Sequence, residues 1–180
     1  YVDLLGGTIQ VESELGKGST FIVTLKHKIA DESYYLKKHI EEPKIESEIL
    51  EGRNILLAED NDLNREIALF ILTEAGAKAT CADDGFKALS AFEQADAGTF
   101  DLILMDIMMP NMNGYEATRA IRSLSREDAR TIPIVAMSAN AFTEDKVRCR
   151  EAGMDGHLTK PIDSDKLIDA LAKIMAAKEG

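Results

Sequence analysis

Short apolar runs alternate with longer amphipathic stretches five times in the chain from Arg53 onward. The third run is apolar at every position, Leu102-Ile103-Leu104-Met105, which is typical of a strand buried on both faces. Strands of that kind belong to parallel sheets covered by helices, because each parallel connection crosses over through a helix. The alternation therefore predicts a doubly wound α/β domain, with a five-stranded parallel sheet and helices on both faces.

The limits of the predicted elements follow from the apolar runs and from the helical periodicity between them. Strands are predicted at Asn54–Ala58, Ala77–Cys81, Asp101–Met105, Ile132–Met137 and Gly156–Thr159. Helices are predicted over residues 62–75, 84–96, 113–125, 142–152 and 163–176. Gly76 and Gly153 lie where two of these helices should end, because glycine accepts the left-handed conformation found at helix C-termini.

The part of the chain before Arg53 has a different character. Two β-like runs, Thr8–Val11 and Phe21–Leu25, flank a turn-rich stretch and predict a hairpin. The following residues are rich in charge and poor in adjacent apolar side chains, which is typical of a linker. We therefore divide the chain into a hairpin fragment (1–27), a linker (28–52), the α/β domain (53–176) and a tail (177–180). Because the first residue is not Met, we expect a piece of a longer protein.

Charge and hydropathy exclude several classes of partner. The chain has 21 Lys+Arg against 32 Asp+Glu and a net charge of −11, so there is no basic surplus to neutralise phosphates or anionic lipids. No apolar run approaches the roughly 18–20 residues of a membrane span, and no secretory leader opens the chain. We expect no nucleic-acid partner, no membrane contact by this segment and a cytoplasmic location. Cys81 and Cys149 are isolated, so the sequence indicates neither a disulfide framework nor a zinc site.

Polar side chains that carry chemistry follow the predicted strands. In a doubly wound sheet, ligands bind outside the carboxyl ends of the strands. The first strand is followed by Glu59-Asp60, the third by Asp106, the fourth by Ser138 and the fifth by Lys160. The sequence therefore predicts a pocket that holds three carboxylates, one hydroxyl and one ammonium group.

Such a pocket favours a divalent cation and phosphoryl chemistry. Clustered carboxylates resist ionisation unless a cation lies among them, and oxygen ligands without His or Cys suit Mg²⁺. Asp106 is the natural nucleophile, because it ends the most apolar strand and a carboxylate can attack phosphorus to form an acyl phosphate. Each residue alone has a simpler interpretation, since Asp is common in turns and acidic residues often open helices. The joint occurrence of all of them, each at the end of its own strand, favours the functional interpretation.

Residues 53–176 resemble a response-regulator receiver domain, the flavodoxin-like, phospho-accepting module of two-component signalling. Its motifs occur in order: Glu59-Asp60, the stretch Leu104–Pro110 around Asp106, Met137-Ser138-Ala139 and Lys160-Pro161. The stretch Met109–Gly114 also matches the loop that follows the family's phosphorylation site. The resemblance implies that Asp106 is phosphorylated and that Asp60 binds Mg²⁺ directly, with Glu59 nearby. The main-chain carbonyl of Met108 would complete the protein's share of the metal ligands.

The resemblance also implies roles for the hydroxyl and the lysine. Ser138 would bind the phosphoryl group by a hydrogen bond and shift as a conformational switch, and Lys160 would pair with the same group. A cis bond between Lys160 and Pro161 is expected. The family's switch partner, three residues before the lysine, is usually Tyr or Phe, but here it is His157. The simpler interpretation of His157 is a surface residue on an edge strand, and the alternative is an altered, pH-sensitive output face.

The N-terminal zone resembles the last hairpin of a histidine-kinase ATP-binding domain, on the stretches 5–13 and 16–21. Together the two resemblances imply a hybrid sensor histidine kinase as the parent protein, with a possible place at the inner face of the cell membrane. The family's ATP-binding motifs and a phosphorylatable His are not in this sequence, so we expect no kinase activity of its own. The implied partners are a histidine kinase domain of the same or the parent protein and a histidine phosphotransfer protein.

Two other functions stay open at this stage. A pseudo-receiver that acts as a phosphorylation-independent interaction module would be favoured by loss of an acidic or Lys position, and none is lost. An Mg²⁺-dependent phosphohydrolase with an aspartyl-phosphate intermediate often has a second acid two residues after the nucleophile, where this sequence has Met108. A phosphoryl group that lasts long enough to be relayed is therefore the prediction.

Overall fold

A computed structural model describes residue 2 and residues 6–26, 50–139 and 143–179. The chain divides into two compact units, residues 1–42 and 43–180. Most of the predicted linker, residues 28–49, lies outside the described residues. Its described end contributes to the second unit, because Leu50 is fully buried in the core of that unit.

The described part of the first unit is an antiparallel hairpin of β1 (Thr8–Glu14) and β2 (Gly18–Thr24). Both predicted strands are present, and both extend further toward the turn than the apolar runs indicate. The turn contains Gly16 with a φ of 83°, a left-handed conformation that favours glycine. The register pairs Ile9 with Val23 and Val11 with Phe21, so one face of the hairpin is apolar, and every residue of both strands is exposed.

The second unit alternates strands and helices as the sequence predicts. Its strands are β3 (Asn54–Ala58), β4 (Lys78–Ala82), β5 (Leu102–Asp106), β6 (Ile134–Ser138) and β7 (Gly156–Thr159). Its helices are α1 (Asp62–Glu74), α2 (Gly85–Gln94), α3 (Gly114–Ser123), α4 (Glu127–Thr131), α5 (Thr143–Ala152) and α6 (Ser164–Glu179). The short helix α4 is not predicted by the apolar pattern, because it contributes a single buried residue, Ala129.

The five strands form one parallel sheet in the order β4-β3-β5-β6-β7. The predicted doubly wound α/β fold is therefore confirmed, and β5 lies at its centre. Helices α1 and α6 pack on one face of the sheet, and α2, α3 and α5 pack on the other. All five residues of β5 are buried, as expected of a strand covered on both faces.

Helix caps separate structural residues from candidate functional ones. The side chain of Asn61 accepts a hydrogen bond from the main-chain N–H of Asn64 and caps α1. Asn113 and Glu116 form a capping box at the start of α3. Because Asn61 caps α1, the preceding residues Glu59 and Asp60 are not needed for that task.

Candidate functional site

Three carboxylates meet at the carboxyl ends of β3 and β5. One oxygen each from Glu59, Asp60 and Asp106 lies within 4.8 Å of the others. Glu59 and Asp106 are 0% and 3% exposed, whereas Asp60 is exposed. The structure thus brings together the three acidic residues that the sequence analysis singled out, with two of them buried and one facing solvent.

Lys160 supplies the positive charge of the cluster. Its Nζ lies 2.6 Å from Glu59 Oε2 and 2.7 Å from Asp106 Oδ2. The lysine follows β7, which is separated from β5 by β6 in the sheet. Its side chain nevertheless contacts Asp106 at the end of β5. The Lys160–Pro161 peptide bond is cis, as the resemblance implies. Three carboxylates and one ammonium group leave the cluster with an excess of negative charge.

The pKa directions reflect that excess. Burial raises the pKa of Asp106, the hydrogen bond from Lys160 opposes the rise, and the carboxylate of Glu59 adds to it. For Lys160, burial alone would lower the pKa, but the hydrogen bonds to Asp106 and Glu59 outweigh it, so the pKa is raised. The pKa of Asp106 is thus raised although its carboxylate contacts an ammonium group. A further cation near the carboxylates would favour the charged form that a nucleophile needs.

Two residues of α1 orient Glu59, and the sequence analysis did not identify them. Asn64 Nδ2 donates to Glu59 Oε1 at 3.1 Å, and Arg65 Nη1 donates to the Glu59 main-chain carbonyl at 2.8 Å. The other carboxylate oxygen, Oε2, lies 2.6 Å from Lys160 Nζ. Their position in the sequence could have identified Asn64 and Arg65, because they lie in the first turn of the helix that follows Glu59.

The loop after β5 holds Asp106 in place. The main-chain N–H of Met108 donates to Asp106 Oδ1 at 3.2 Å, while the Met108 side chain is 75% exposed. Asn111, with a φ of 64°, donates from Nδ2 to Asp84 Oδ2 at 3.1 Å and anchors the loop to the start of α2. A Cβ at Gly114 would collide with the main-chain carbonyl of Asp106, so this close approach requires glycine.

Ser138 ends β6 at the same edge of the sheet. Asp106 pairs with Met137 in the β5–β6 register, so Ser138 lies one residue further along. Its main-chain carbonyl accepts a hydrogen bond from Lys160 N at 2.7 Å. Its hydroxyl lies 2.7 Å from His157 Nε2, within hydrogen-bond distance. His157 is half-buried, so the interpretation as a surface residue of the edge strand does not account for this contact.

An exposed apolar stripe runs along α1, the helix that follows Glu59 and Asp60 in the chain. It consists of Leu63, Ile67 and Phe70, which are 65%, 42% and 66% exposed. Their spacing of four and three residues places them on one face of the helix. We call these three residues the α1 stripe. Exposed apolar groups of this size on a helix are typical of an interaction surface.

The donor set of the cluster fits a hard divalent cation. All of its donors are oxygens, and one oxygen from each of the three carboxylates lies within 4.8 Å of the others. Mg²⁺ prefers such oxygen donors and keeps several waters, for which the exposed side of Asp60 leaves access.

In the ranges that the structure describes, no helix is long and apolar enough to cross a membrane.

The chain belongs to the response regulator receiver domain family, whose model matches residues 55–172. Histidine kinase 1 of Arabidopsis thaliana is 37% identical over 155 residues, which cover 69% of this chain and 13% of that protein. Sensor histidine kinase RcsC of Salmonella typhi is 39% identical over 118 residues, covering 66% of this chain and 12% of that protein. The matched region is therefore a small part of each relative.

Solved receiver domains have the same fold. The receiver domain of sensor histidine kinase PA1611 from Pseudomonas aeruginosa, with a magnesium ion in its active site cleft, is 37% identical with a TM-score of 0.62. The match covers 69% of this chain and 98% of that one. Chemotaxis protein CheY4 of Vibrio cholerae is 28% identical with a TM-score of 0.63, over 68% and 98% of the two chains. The predicted receiver fold is confirmed.

Proposed function

We propose that this chain is the phospho-accepting receiver segment of a hybrid histidine kinase, in which Asp106 takes a phosphoryl group from a phosphohistidine and passes it to a histidine phosphotransfer partner. The observation that carries the proposal is the position of Asp106, which is buried with its carboxylate 2.7 Å from Lys160 Nζ, the same nitrogen that contacts Glu59. The receiver family and the histidine-kinase relatives support it.

We assign the metal-binding role to Glu59, Asp60, Asp106 and the main-chain carbonyl of Met108, and we propose Mg²⁺ as the ion. When bound, the ion neutralises negative charge on the transferring phosphoryl group and orients it. The oxygen-only donors and the excess negative charge of the cluster support this assignment. The role of the Met108 carbonyl rests on the resemblance alone.

The transfer step uses the residues of the cluster in distinct roles. A carboxylate oxygen of Asp106 attacks phosphorus, and the new O–P bond forms as the P–N bond of the phosphohistidine breaks. The electron pair of that bond stays on the imidazole nitrogen, so no proton has to be removed from Asp106 if it is ionised. Lys160 donates a hydrogen bond to one phosphoryl oxygen and Ser138 donates to another. Relay to the partner is the reverse attack, by a neutral imidazole nitrogen on the acyl phosphate.

The α1 stripe is the surface that we assign to protein partners. It begins three residues after Asp60 in sequence and exposes Leu63, Ile67 and Phe70 on the helix that follows Glu59 and Asp60. A partner that presents a histidine on a helix needs an apolar surface beside the nucleophile, since the transfer requires close approach of two side chains. Both the kinase domain and the phosphotransfer protein would use this surface, one after the other.

The parent protein is proposed to carry the kinase domain that supplies the phosphoryl group. The hairpin of β1 and β2 would be the end of its ATP-binding domain, and the exposed apolar face of the hairpin would pack against the rest of that domain. Because an ATP-dependent kinase is the proposed source, we place the chain in the cytoplasm, with the parent at the inner face of the cell membrane.

Labelling with a small phosphodonor such as phosphoramidate tests the proposal. In the presence of Mg²⁺, intact-mass spectrometry should show one phosphoryl group on the wild-type chain and none on Asp106→Asn. Asp83→Asn removes an exposed carboxylate outside the cluster and should label normally. Persistent labelling of Asp106→Asn would contradict the assignment. Complete loss of the label within seconds would instead favour the phosphohydrolase, and a wild-type chain that accepts no label would favour the pseudo-receiver.

A further inference from the structure

The hydrogen bond between Ser138 and His157 is built into the register of the sheet. Ala136 pairs with His157 across β6 and β7, and Ser138 lies two residues after Ala136 on the same strand. Side chains two positions apart on a strand share a face, so Ser138 and His157 lie on the same face of the sheet. Their side chains meet at 2.7 Å, where Ser138 is only 5% exposed.

The hydroxyl of Ser138 can take part in this hydrogen bond in two ways. It has one proton to donate and can accept at its oxygen. If it donates to Nε2 of His157, its single proton is committed to the imidazole. If Nε2–H of His157 donates to the hydroxyl oxygen, the proton of Ser138 is directed away from the imidazole and toward an acceptor other than His157. The tautomer of His157 decides between the two arrangements.

Only the second arrangement is compatible with Ser138 keeping both partners. We propose that His157 is a positioning residue for the acceptor site: its Nε2–H donates to Ser138 Oγ and thereby directs the Ser138 proton toward a phosphoryl oxygen on Asp106. This inference rests on the proposed function, which requires Ser138 to donate to that oxygen. The resulting chain of imidazole, hydroxyl and phosphoryl oxygen is cooperative, since each hydrogen bond polarises the next. A phenyl ring at position 157, as in a Phe side chain, has no N–H group that could donate to Ser138 Oγ.

Binding of beryllofluoride, a non-hydrolysed mimic of the phosphoryl group, tests the role of His157 without phosphotransfer. With Mg²⁺ present, calorimetric titration should show about five- to tenfold weaker binding by His157→Phe, the size of one hydrogen bond. His157→Gln keeps an amide donor near the position of Nε2 and should restore most of the affinity. Thr80→Val, on the opposite edge strand, is the matched control and should bind as the wild-type chain does.

A double-mutant cycle separates action through Ser138 from a general effect on β7. Ser138→Ala should weaken beryllofluoride binding, and adding His157→Phe to it should cause no further loss. Nitrogen NMR of His157 at about pH 8, above the ordinary histidine pKa of about 6.5, should show a proton on Nε2 with and without beryllofluoride.

The outcomes distinguish this inference from the proposed function. If the wild-type chain binds beryllofluoride but His157→Phe binds equally or more tightly, His157 does not position Ser138. The same conclusion follows if the effect of His157→Phe persists in the Ser138→Ala background, or if Nε2 carries no proton. If the wild-type chain neither binds beryllofluoride nor accepts a phosphoryl group at Asp106, the proposed function fails and this inference fails with it.

Discussion

Lys160 Nζ lies 2.7 Å from Asp106 Oδ2 although their strands, β7 and β5, are not neighbours in the sheet. The same nitrogen contacts Glu59, so one ammonium group faces two buried carboxylates. The cluster therefore has more acidic than basic groups, because two buried carboxylates and the nearby Asp60 share one ammonium group.

Asp106→Asn is predicted to stabilise the metal-free chain. The substitution removes a buried charge that Glu59 repels, and Lys160 keeps its ion pair with Glu59. Urea denaturation at neutral pH without Mg²⁺ should show a higher midpoint for Asp106→Asn than for the wild-type chain. Adding Mg²⁺ should stabilise the wild-type chain more than the variant. A lower midpoint for Asp106→Asn would mean that the ion pair with Lys160 outweighs the repulsion.

Phe70→Ala on the α1 stripe is predicted to impair transfer to a protein partner but not labelling by a small phosphodonor. Phe70 is 66% exposed, so its loss should change the free energy of unfolding by no more than about 0.5 kcal/mol. An apolar hot-spot residue at an interface is worth about 2 kcal/mol or more, which predicts at least about 30-fold slower transfer when the partner is below saturation. Rapid-quench phosphotransfer with a histidine phosphotransfer protein measures the rate. Val147→Ala, at an exposed apolar position on α5, is the control, and equal slowing by both variants would contradict the assignment.

Gly114→Ala is predicted to damage the acceptor site, because the added Cβ meets the main-chain carbonyl of Asp106. Overpacking of this kind costs about 1–3 kcal/mol, and here the displaced atoms carry the nucleophile. Labelling by phosphoramidate should therefore be strongly reduced. Gly98→Ala is the control for stability alone, since Gly98 has a left-handed φ of 79° but open space around it. The free energy of unfolding of Gly98→Ala should be about 1 kcal/mol lower than that of the wild-type chain, and phosphoramidate should label the variant normally.

Asp128→Asn is predicted to remove a pH-dependent contribution to the free energy of unfolding, which the ion pair of Asp128 with Arg126 makes at α4. The guanidinium of Arg126 holds the pKa of Asp128 down at about 2, through two short hydrogen bonds of 2.7 Å. Because the folded pKa lies below the unfolded value of about 3.9, the stabilisation is fully present above about pH 4 and is lost as pH falls toward 2.

At neutral pH the variant should lose about 1 kcal/mol, since the pair is partly exposed and screened by solvent. Arg126 also donates to main-chain carbonyls at the end of α2, which helps to fix its position. Urea denaturation of both chains at several pH values measures the difference, which should shrink below about pH 4. A constant difference across the series would show that the cost is not electrostatic.

The sequence was sufficient to predict the sheet and the acidic cluster, because both follow from the alternation of strands and helices along the chain. Parallel strands align their carboxyl ends, so Glu59, Asp106 and Lys160 had to approach one edge once the alternation was recognised. The bounds of β3 and β7 are as predicted, whereas those of β4, β5 and β6 are displaced by one or two residues, which makes Asp106 and Ser138 the last residues of their strands. The apolar run of a strand does not predict its last residue, because the last hydrogen bonds of a strand depend on the neighbouring strands.

Contacts that depend on side-chain direction were not predictable from the chain. The pairing of Ser138 with His157 requires the β6–β7 register, which apolar patterning does not specify to a single residue. The support of Glu59 by Asn64 and Arg65 depends on how α1 leaves β3. Leu50 lies in a stretch of low apolar density, yet it is fully buried, because burial follows from packing against the core and not from local composition.

The order of strands in the sheet divides the acceptor site between regions of different local stability. Asp106 belongs to β5, which is paired on both sides, whereas Lys160 and His157 are attached to β7, which is paired on one side only. Edge strands open more readily than central ones in native-state hydrogen exchange. A brief opening of β7 would withdraw the ammonium group and the imidazole together and leave the carboxylates of β3 and β5 in place. The chain's capacity to hold a phosphoryl group would then fluctuate with the fraying of its outermost strand, while the nucleophile itself stays fixed.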